Sequence, residues 1–170
     1  MIDERLRRRV LWAMPSGLYV VGSRAGEERN LMTANLVQQV ATSPTLVAAA
    51  IDAEAVTHRL VEAGGCFAVS LLPRQQRAVV RRFVKPVPAT SVVLDDDGRA
   101  RSMAGEAVEE GVTGAPVLAS AAGWLDCEVR HRLDLGSHSL FVGEVVAVDG
   151  PEGELGPLLR MEDTRMNYGG

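Results

Sequence analysis

The chain has 170 residues and a mass of 18.2 kDa, which is the size of one domain and leaves no room for two independent hydrophobic cores. Its 46% hydrophobic and 24% charged residues are typical of a globular protein, and they exclude a disordered chain, a collagen and a coiled coil. The net charge of −4 and the scattered arginines argue against a nucleic-acid-binding protein.

The sequence contains no pattern of a membrane or secreted protein. The best apolar run, 46–51, is far shorter than the roughly 18 residues that a membrane helix needs. The N-terminal segment contains charged residues from Asp3 onward and lacks the apolar core of a signal peptide. Cys66 and Cys127 form neither a C-x-x-C motif nor a zinc spacing, so we expect reduced, buried thiols in a cytoplasmic protein.

Helix-like and strand-like segments follow one another through the first half of the chain. Asp3 is positioned to cap a first helix, which presents Leu6 and Val10 on one face and ends before Pro15. Strands are predicted where β-forming residues lie between turn residues, and helices where apolar residues recur every three or four positions. The predicted strands are 17–22, 45–51 and 66–72, and the further predicted helices are 56–63 and 75–83. The segment 31–40 fits neither period.

The second half of the chain begins with a long connection and ends with a hairpin. Residues 85–114 are rich in Pro, Asp and Gly, which predicts irregular structure with one short element. Residues 124–135 alternate with period two, which predicts a half-buried strand with His131 on its apolar face. Gly136 and Ser137 are expected to form a two-residue turn into a second strand, 138–148. An ideal register pairs Leu133 with Leu140 and Cys127 with Val146, and it places Leu133 and Leu135 on the apolar face.

These elements predict a mainly β fold. About six strands and three short helices are expected, without the alternation of strands and helices that marks a parallel sheet. Strands at this spacing favour a small closed or partly closed β-barrel with a few short helices. A doubly wound parallel sheet fits the pattern less well.

Few residues carry recognisable chemistry by themselves. The common nucleotide, hydrolase and metalloprotease motifs are absent, and the three histidines are too dispersed to predict a metal site. The segment 30–35 offers small and hydroxyl residues, which can receive a flat ligand or simply form a turn. Thr57 and His58 open a predicted helix, where they can bind a phosphate or serve as an ordinary cap and a surface histidine.

Taken in order, these pieces resemble the flavin reductase-like family, whose fold is an FMN-binding split β-barrel. The matching segments are 15–21, 30–35, 39–44, 57–60, 64–69, 136–138, 140–145, 157–159 and 167–169. The resemblance spans roughly residues 5 to 169, and it implies one flavin reductase-like domain over residues 1–170.

The resemblance implies a flavin site, with FMN as the cofactor and FAD as the alternative. The cofactor-binding residues that it implies are Asn30, Met32, Thr33, Ala34, Asn35, Ser43, Thr57 and His58. Those of the 30–35 segment would line the isoalloxazine and ribityl groups, and Thr57 and His58 would bind the phosphate. The preceding residues, 52–55, supply no Arg or Lys to that phosphate.

The resemblance also implies an NAD(P)H:flavin oxidoreductase, in which NADH or NADPH gives a hydride to the flavin. His138 would orient the nicotinamide or the flavin. Ser137 stands where reductases of the family often carry Asp, so an FMN-holding electron carrier remains an alternative. A third hypothesis is a binding protein for another flat ligand, such as haem. The implied partners are a second copy of the chain in a homodimer and a monooxygenase that takes the reduced flavin.

Overall fold

The computed structural model describes residues 2–164 and residue 166, and the architecture of these residues is mainly β. The α-helices are α1 (Glu4–Trp12) and α2 (Val56–Gly64). The strands are β1 (Tyr19–Ala25), β2 (Glu28–Ala34), β3 (Val37–Thr42), β4 (Thr45–Asp52), β5 (Cys66–Leu71), β6 (Val92–Leu94), β7 (Ala100–Met103), β8 (Glu106–Glu110), β9 (Pro116–Leu118), β10 (Gly123–Asp134) and β11 (His138–Asp149). Short 3-10 turns cover Arg74–Gln76, Val79–Phe83, Ala89–Ser91 and Met161–Asp163. Neither described helix is long and apolar enough to cross a lipid bilayer.

The larger sheet is antiparallel and contains seven strands in the order β2-β1-β5-β10-β11-β4-β3. Its two edge strands are neighbours in the chain, because β2 ends at Ala34 and β3 begins at Val37. Three residue steps span at most about 11 Å, whereas six strand spacings of a flat sheet span about 29 Å. The sheet must therefore curl until its edges approach each other, which confirms the expected mainly β, barrel-like fold.

The smaller sheet has the order β6-β7-β8-β9 and packs closely against the larger one. At the contact, Gly22 of β1 faces the backbone carbonyl of Pro116 in β9. A β-carbon at residue 22 would lie only 1.8 Å from that carbonyl oxygen. Glycine is therefore required at this position for the two sheets to come together.

Two apolar clusters fill the interior. One lies inside the curled sheet and includes Phe67 and Phe141, both fully buried. The other lies between the two sheets and includes Val80 and Phe83. The 3-10 turn Val79–Phe83 is thereby anchored in the core, which holds the chain on either side of it in place.

The first helix forms as predicted, and its apolar face is not buried. Asp3 Oδ1 accepts hydrogen bonds from the backbone N–H groups of Arg5 and Leu6, at 3.0 and 3.1 Å, so Asp3 is the predicted N-cap. However, α1, which is described over its whole length, buries none of its side chains. Leu6 and Val10 are consequently exposed.

The C-terminal hairpin has the predicted turn. Leu133 pairs with Leu140, and Leu135 N donates a 2.8 Å hydrogen bond to the carbonyl of His138. Gly136 has a φ of +87°, which L side chains rarely adopt. The tip extends away from the core, however, so that Leu133 and Leu135 are 57% and 56% exposed. The prediction that these two leucines lie on a buried face was wrong.

Two β-bulges interrupt the hairpin and change its register. One places Cys127 opposite Val145 instead of the expected Val146, and the other lies between Val129 and His131. A bulge adds a residue to one strand, so the strict alternation of faces is lost there. His131 is exposed as a result, which corrects its predicted place on the apolar face.

Three further segments differ from the sequence prediction. The segment 31–40 contains the end of β2 and the start of β3. The segment 85–114 is not irregular but carries β6, β7 and β8, whose three to five residues are too few to reveal a period. The predicted helix 75–83 is divided between two 3-10 turns. The matching segment 167–169 lies outside the described residues.

Candidate functional site

A cavity of about 360 Å³ lies where the end of β2, the start of α2 and the chain after the 3-10 turn Val79–Phe83 meet. Its walls are formed by Asn30, Met32 and Thr33 of β2, by Asp52, Glu54, Ala55, Val56 and Thr57 at the start of α2, and by Phe83, Val84, Lys85 and Pro86. The volume falls within the range of roughly 300–1,000 Å³ that is typical of small-molecule sites. Four of the residues predicted from the sequence, Asn30, Met32, Thr33 and Thr57, come together here.

Asn30 connects the three walls. Its side-chain Nδ2 donates a 2.8 Å hydrogen bond to Thr57 Oγ1, and its Oδ1 accepts a 2.9 Å hydrogen bond from Val87 N. Asn30 and Thr57 are both buried. Because both ends of the amide are occupied by protein groups, the role of Asn30 is to hold the start of α2 and the 83–87 segment around the cavity.

Thr33 fixes the opposite end of the same wall. Its hydroxyl donates a 2.5 Å hydrogen bond to the carbonyl of Val80 within the 3-10 turn. The Thr33 side chain is buried beside the cavity, while Met32, the preceding residue in β2, is half-buried. The bond ties β2 to the turn that carries Phe83.

The start of α2 offers backbone donors to the cavity. The N-cap residue is Ala55, which has no side chain able to bond the free N–H groups of the first turn. No acidic residue lies in that turn. Such a helix end favours a negatively charged ligand. The acidic residues Asp52 and Glu54 lie just before it, and Asp52 Oδ1 accepts a 2.9 Å hydrogen bond from Glu54 N.

His58 does not line the cavity. The residue is 6% exposed, its ring packs edge-on against Phe141 at 5.1 Å, and its Nε2 lies 2.8 Å from Ser139 Oγ. The Ser139 hydroxyl itself donates to Asp134 Oδ1 at 2.7 Å, so its oxygen is left to accept a proton from Nε2. Burial first, and then the nearby Arg132 charge, lower the pKa of His58. His58 is therefore a neutral histidine that anchors α2 to β11.

The remaining predicted ligands lie elsewhere. Ala34 is buried at the end of β2, and Ser43 is exposed in the turn between β3 and β4. Asn35 lines a second cleft, also about 360 Å³, beside Met14 and Arg160. The structure thus does not bring these three residues together with the group around Thr33.

His138 lies next to the cavity without lining it. It is half-buried at the start of β11, where it pairs with Asp52, one of the cavity residues. Its Nδ1 is 3.0 Å from Ser137 Oγ, and Ala53 N donates a 3.0 Å hydrogen bond to the Ser137 carbonyl. The hairpin turn is thereby fastened to the loop that precedes α2.

The third wall of the cavity, which includes Phe83, Val84 and Lys85, was not predicted from the sequence. Lys85 is the only lysine of the chain. The available signal was the position of Lys85 between the apolar residues 83–84 and a proline. This lysine begins the segment 85–114, which was predicted to be irregular. Among residues 2–164 and 166, no cluster of His, Cys, Asp or Glu is arranged to hold a metal ion.

The family model and two of the curated relatives that match this chain describe flavin reductases or the reductase component of a monooxygenase. A family model described as a flavin reductase like domain matches residues 11–169. The NADH-dependent FAD reductase of Streptomyces globisporus is 34% identical over 149 residues, which cover 86% of this chain and 78% of that protein. The reductase component of a 4-hydroxyphenylacetate 3-monooxygenase from Thermus thermophilus is 35% identical over 145 residues, with 85% and 82% covered.

A solved structure agrees with these matches. The Streptomyces globisporus NADH:FAD oxidoreductase SgcE6, in complex with NAD and FAD fragments, superposes with a TM-score of 0.71 and 30% identity. The aligned regions cover 88% of this chain and 86% of the other. Two further curated relatives are much longer proteins, and the chain spans 57% and 22% of their lengths.

Proposed function

We propose that this chain, which belongs to the flavin reductase-like family, catalyses the reduction of FMN or FAD by NADH or NADPH. The observation that carries the proposal is the cavity between β2 and α2, which gathers Asn30, Met32, Thr33 and Thr57 of the expected flavin segments. The relatives named as NADH-dependent flavin reductases support the same reaction.

The residues of the cavity fit a phosphorylated flavin. Met32, Val56 and Val84 provide apolar surface for a flat ring system. The uncapped start of α2 provides backbone N–H donors for a phosphate, and Thr57 lies in its first turn. We therefore assign ring binding to the β2 and 3-10 walls, and phosphate binding to the α2 wall.

The bound flavin would supply the hydride-accepting chemistry, so that no nucleophilic side chain is needed. The chain's own residues bind and orient. Asn30 and Thr33 keep the walls at a fixed separation through buried hydrogen bonds. His138 pairs with Asp52 next to the cavity, and this position supports the proposal that it orients the nicotinamide.

The second candidate is an electron carrier that holds FMN without rapid reduction by NADH. Ser137 favours it, because a neutral hydroxyl stands beside His138 where a carboxylate was expected. The haem-binding reading has less support. Of the three histidines, all among the described residues, none lines the cavity, and His58 is engaged with Ser139.

Anaerobic mixing of the purified protein with FMN and NADH tests the proposal. A reductase bleaches the flavin absorbance near its yellow maximum within seconds and oxidises an equal amount of NADH. An electron carrier binds FMN but leaves NADH unchanged over the same time. A protein purified with a haem spectrum and no affinity for FMN would refute both flavin functions.

We also propose that the protein forms a homodimer in the cytoplasm and passes reduced flavin to a monooxygenase. The relative from Thermus thermophilus is itself the reductase component of a monooxygenase. The exposed apolar side chains Leu6, Val10 and Leu11 give α1 a surface that a second copy can cover. Sedimentation should yield twice the 18.2 kDa chain mass, and Val10→Glu should weaken association. A monomeric mass at micromolar concentration would refute the dimer.

A further inference from the structure

The phosphate end of the cavity has an unfavourable charge on one wall. Asp52 and Glu54 lie directly before α2, and both line the cavity. His58 contributes no compensating charge, because it is buried, bound to Ser139 and has a lowered pKa. Two carboxylates close to a phosphate oppose its binding, even where helix N–H groups are available. A cation from another wall is needed to offset them.

Lys85 is the cation that the fold brings to this cavity. It is exposed and lines the same cavity as the start of α2. Among the described residues, no acidic oxygen lies within 4 Å of its ammonium group, although Asp52 and Glu54 border the same space. The ammonium is therefore available to a ligand.

The backbone around Lys85 is held on both sides. Phe83 is completely buried in the core, and Val87 N donates to Asn30 Oδ1 at 2.9 Å. Pro86 restricts the intervening backbone. Because Asn30 also bonds Thr57, a single amide fixes the position of the Lys85 segment relative to the start of α2.

We propose that Lys85 recognises the phosphate of the flavin, and that this chain thereby selects phosphorylated flavins over riboflavin. The inference rests on the proposed flavin function and adds a specificity-determining residue to it. The attraction acts across the cavity, from the 83–87 segment to the wall formed by α2. It is a point-charge interaction at an accessible site, so added salt weakens it.

Flavin fluorescence titrations with FMN and riboflavin test this role, because the two ligands share the ring and differ by the phosphate. Lys85→Gln should weaken FMN binding about 10-fold or more, in line with a lost charge-assisted contact. Riboflavin binding should change less than about 2-fold, and Lys85→Arg should largely restore FMN binding. Arg81→Gln is the matched control, because Arg81 is exposed near the same turn and outside the cavity.

Salt provides a second readout that does not depend on catalysis. FMN affinity of the unaltered protein should fall between about 50 and 300 mM NaCl, and Lys85→Gln should flatten that dependence. Unchanged FMN affinity in Lys85→Gln, or equal losses for FMN and riboflavin, would overturn the inference while leaving the flavin function intact. An unaltered protein that binds neither flavin would overturn the inference and the proposed function together.

Discussion

Arg29 Nε lies 2.6 Å from Glu110 Oε1, and the two side chains are only 2% and 6% exposed. The pair joins β2 of the large sheet to β8 of the small one. The other guanidinium nitrogens donate to the carbonyls of Glu27 and Gly98, at 2.8 and 2.9 Å. Glu110 Oε1 also accepts from Ala100 N at 3.0 Å. A buried charge pair so fully hydrogen-bonded fixes how the two sheets fit together.

Removal of one partner should therefore lower the free energy of unfolding substantially. Glu110→Ala leaves the Arg29 guanidinium buried without a counter-charge, so we expect a loss of about 3 kcal/mol or more in the free energy of unfolding. Urea denaturation measures the effect. The matched control is Glu109→Ala, an exposed position on the same strand, which should change stability by less than about 0.5 kcal/mol. Equal effects of the two substitutions would contradict the structural role.

The buried state of His58 predicts a pH-dependent stability. Burial, followed by the Arg132 charge, lowers the pKa of His58 in the folded state, against opposing effects of Asp134 and Asp52. In the unfolded chain the histidine titrates near its usual pKa of about 6.5. The unfolded state therefore takes up the proton first as pH falls. The contribution of His58 to the free energy of unfolding is therefore complete above about pH 7. It declines below about pH 6.5, until the folded state is protonated too.

The free energy of unfolding should change with pH by at most about 1.4 kcal/mol per pH unit, which corresponds to the uptake of one proton. It can be measured by urea denaturation between pH 7.5 and 5. His58→Asn should flatten the slope, whatever it does to stability at neutral pH. His131→Gln, at an exposed position of β10, should retain it. A slope that persists in His58→Asn would assign the proton uptake to another group.

The C-terminal hairpin illustrates what the sequence could and could not predict. Gly136 and the alternation of 124–135 correctly indicated a two-residue turn and long strands. The bulge before His131 leaves no mark in a pattern of polar and apolar residues, because it depends on the packing of neighbouring strands. The small sheet was missed for a related reason, since its short strands owe their stability to tertiary contacts such as Arg29–Glu110.

For the cavity, too, the sequence predicted individual residues but not the contacts that they make. Asn30, Thr33 and Thr57, which line one cavity, were predicted because they lie in segments that resemble a known family. Their hydrogen bonds to Val87 and Val80 could not be found in this way, because the partners are 57 and 47 residues away along the chain. These long-range contacts depend on the curled sheet and its core.

Thr33 tests the link between wall geometry and ligand binding. Thr33→Val keeps the shape of the side chain but leaves the Val80 carbonyl without its donor, so we expect a loss of about 1–2 kcal/mol in stability. The 3-10 turn that carries Phe83 should loosen, and FMN affinity should fall. Thr33→Ser retains the hydroxyl and should bind FMN nearly as well as the unaltered protein. Full FMN affinity in Thr33→Val, measured by fluorescence titration, would show that the hydroxyl does not shape the site.

His138 offers the sharpest test of the proposed reaction. It begins β11 opposite Asp52 at the cavity rim, yet it is absent from the lining of the cavity. The backbone bond from Ala53 N to the Ser137 carbonyl holds the rim in place without the imidazole. We therefore expect His138→Ala to leave FMN affinity nearly unchanged.

The rate of flavin reduction should respond differently, because the proposed contact of His138 is with the nicotinamide. Stopped-flow mixing of the FMN-loaded His138→Ala variant with NADH should show a reduction rate lower by about 10-fold or more, since an orienting contact is lost. His131→Ala, on the exposed part of the same hairpin, is the control and should reduce flavin at the rate of the unaltered protein. Equal rates in His138→Ala and the unaltered protein would leave His138 as a turn residue. If those rates were also slow, the protein would fit the electron carrier better than the reductase.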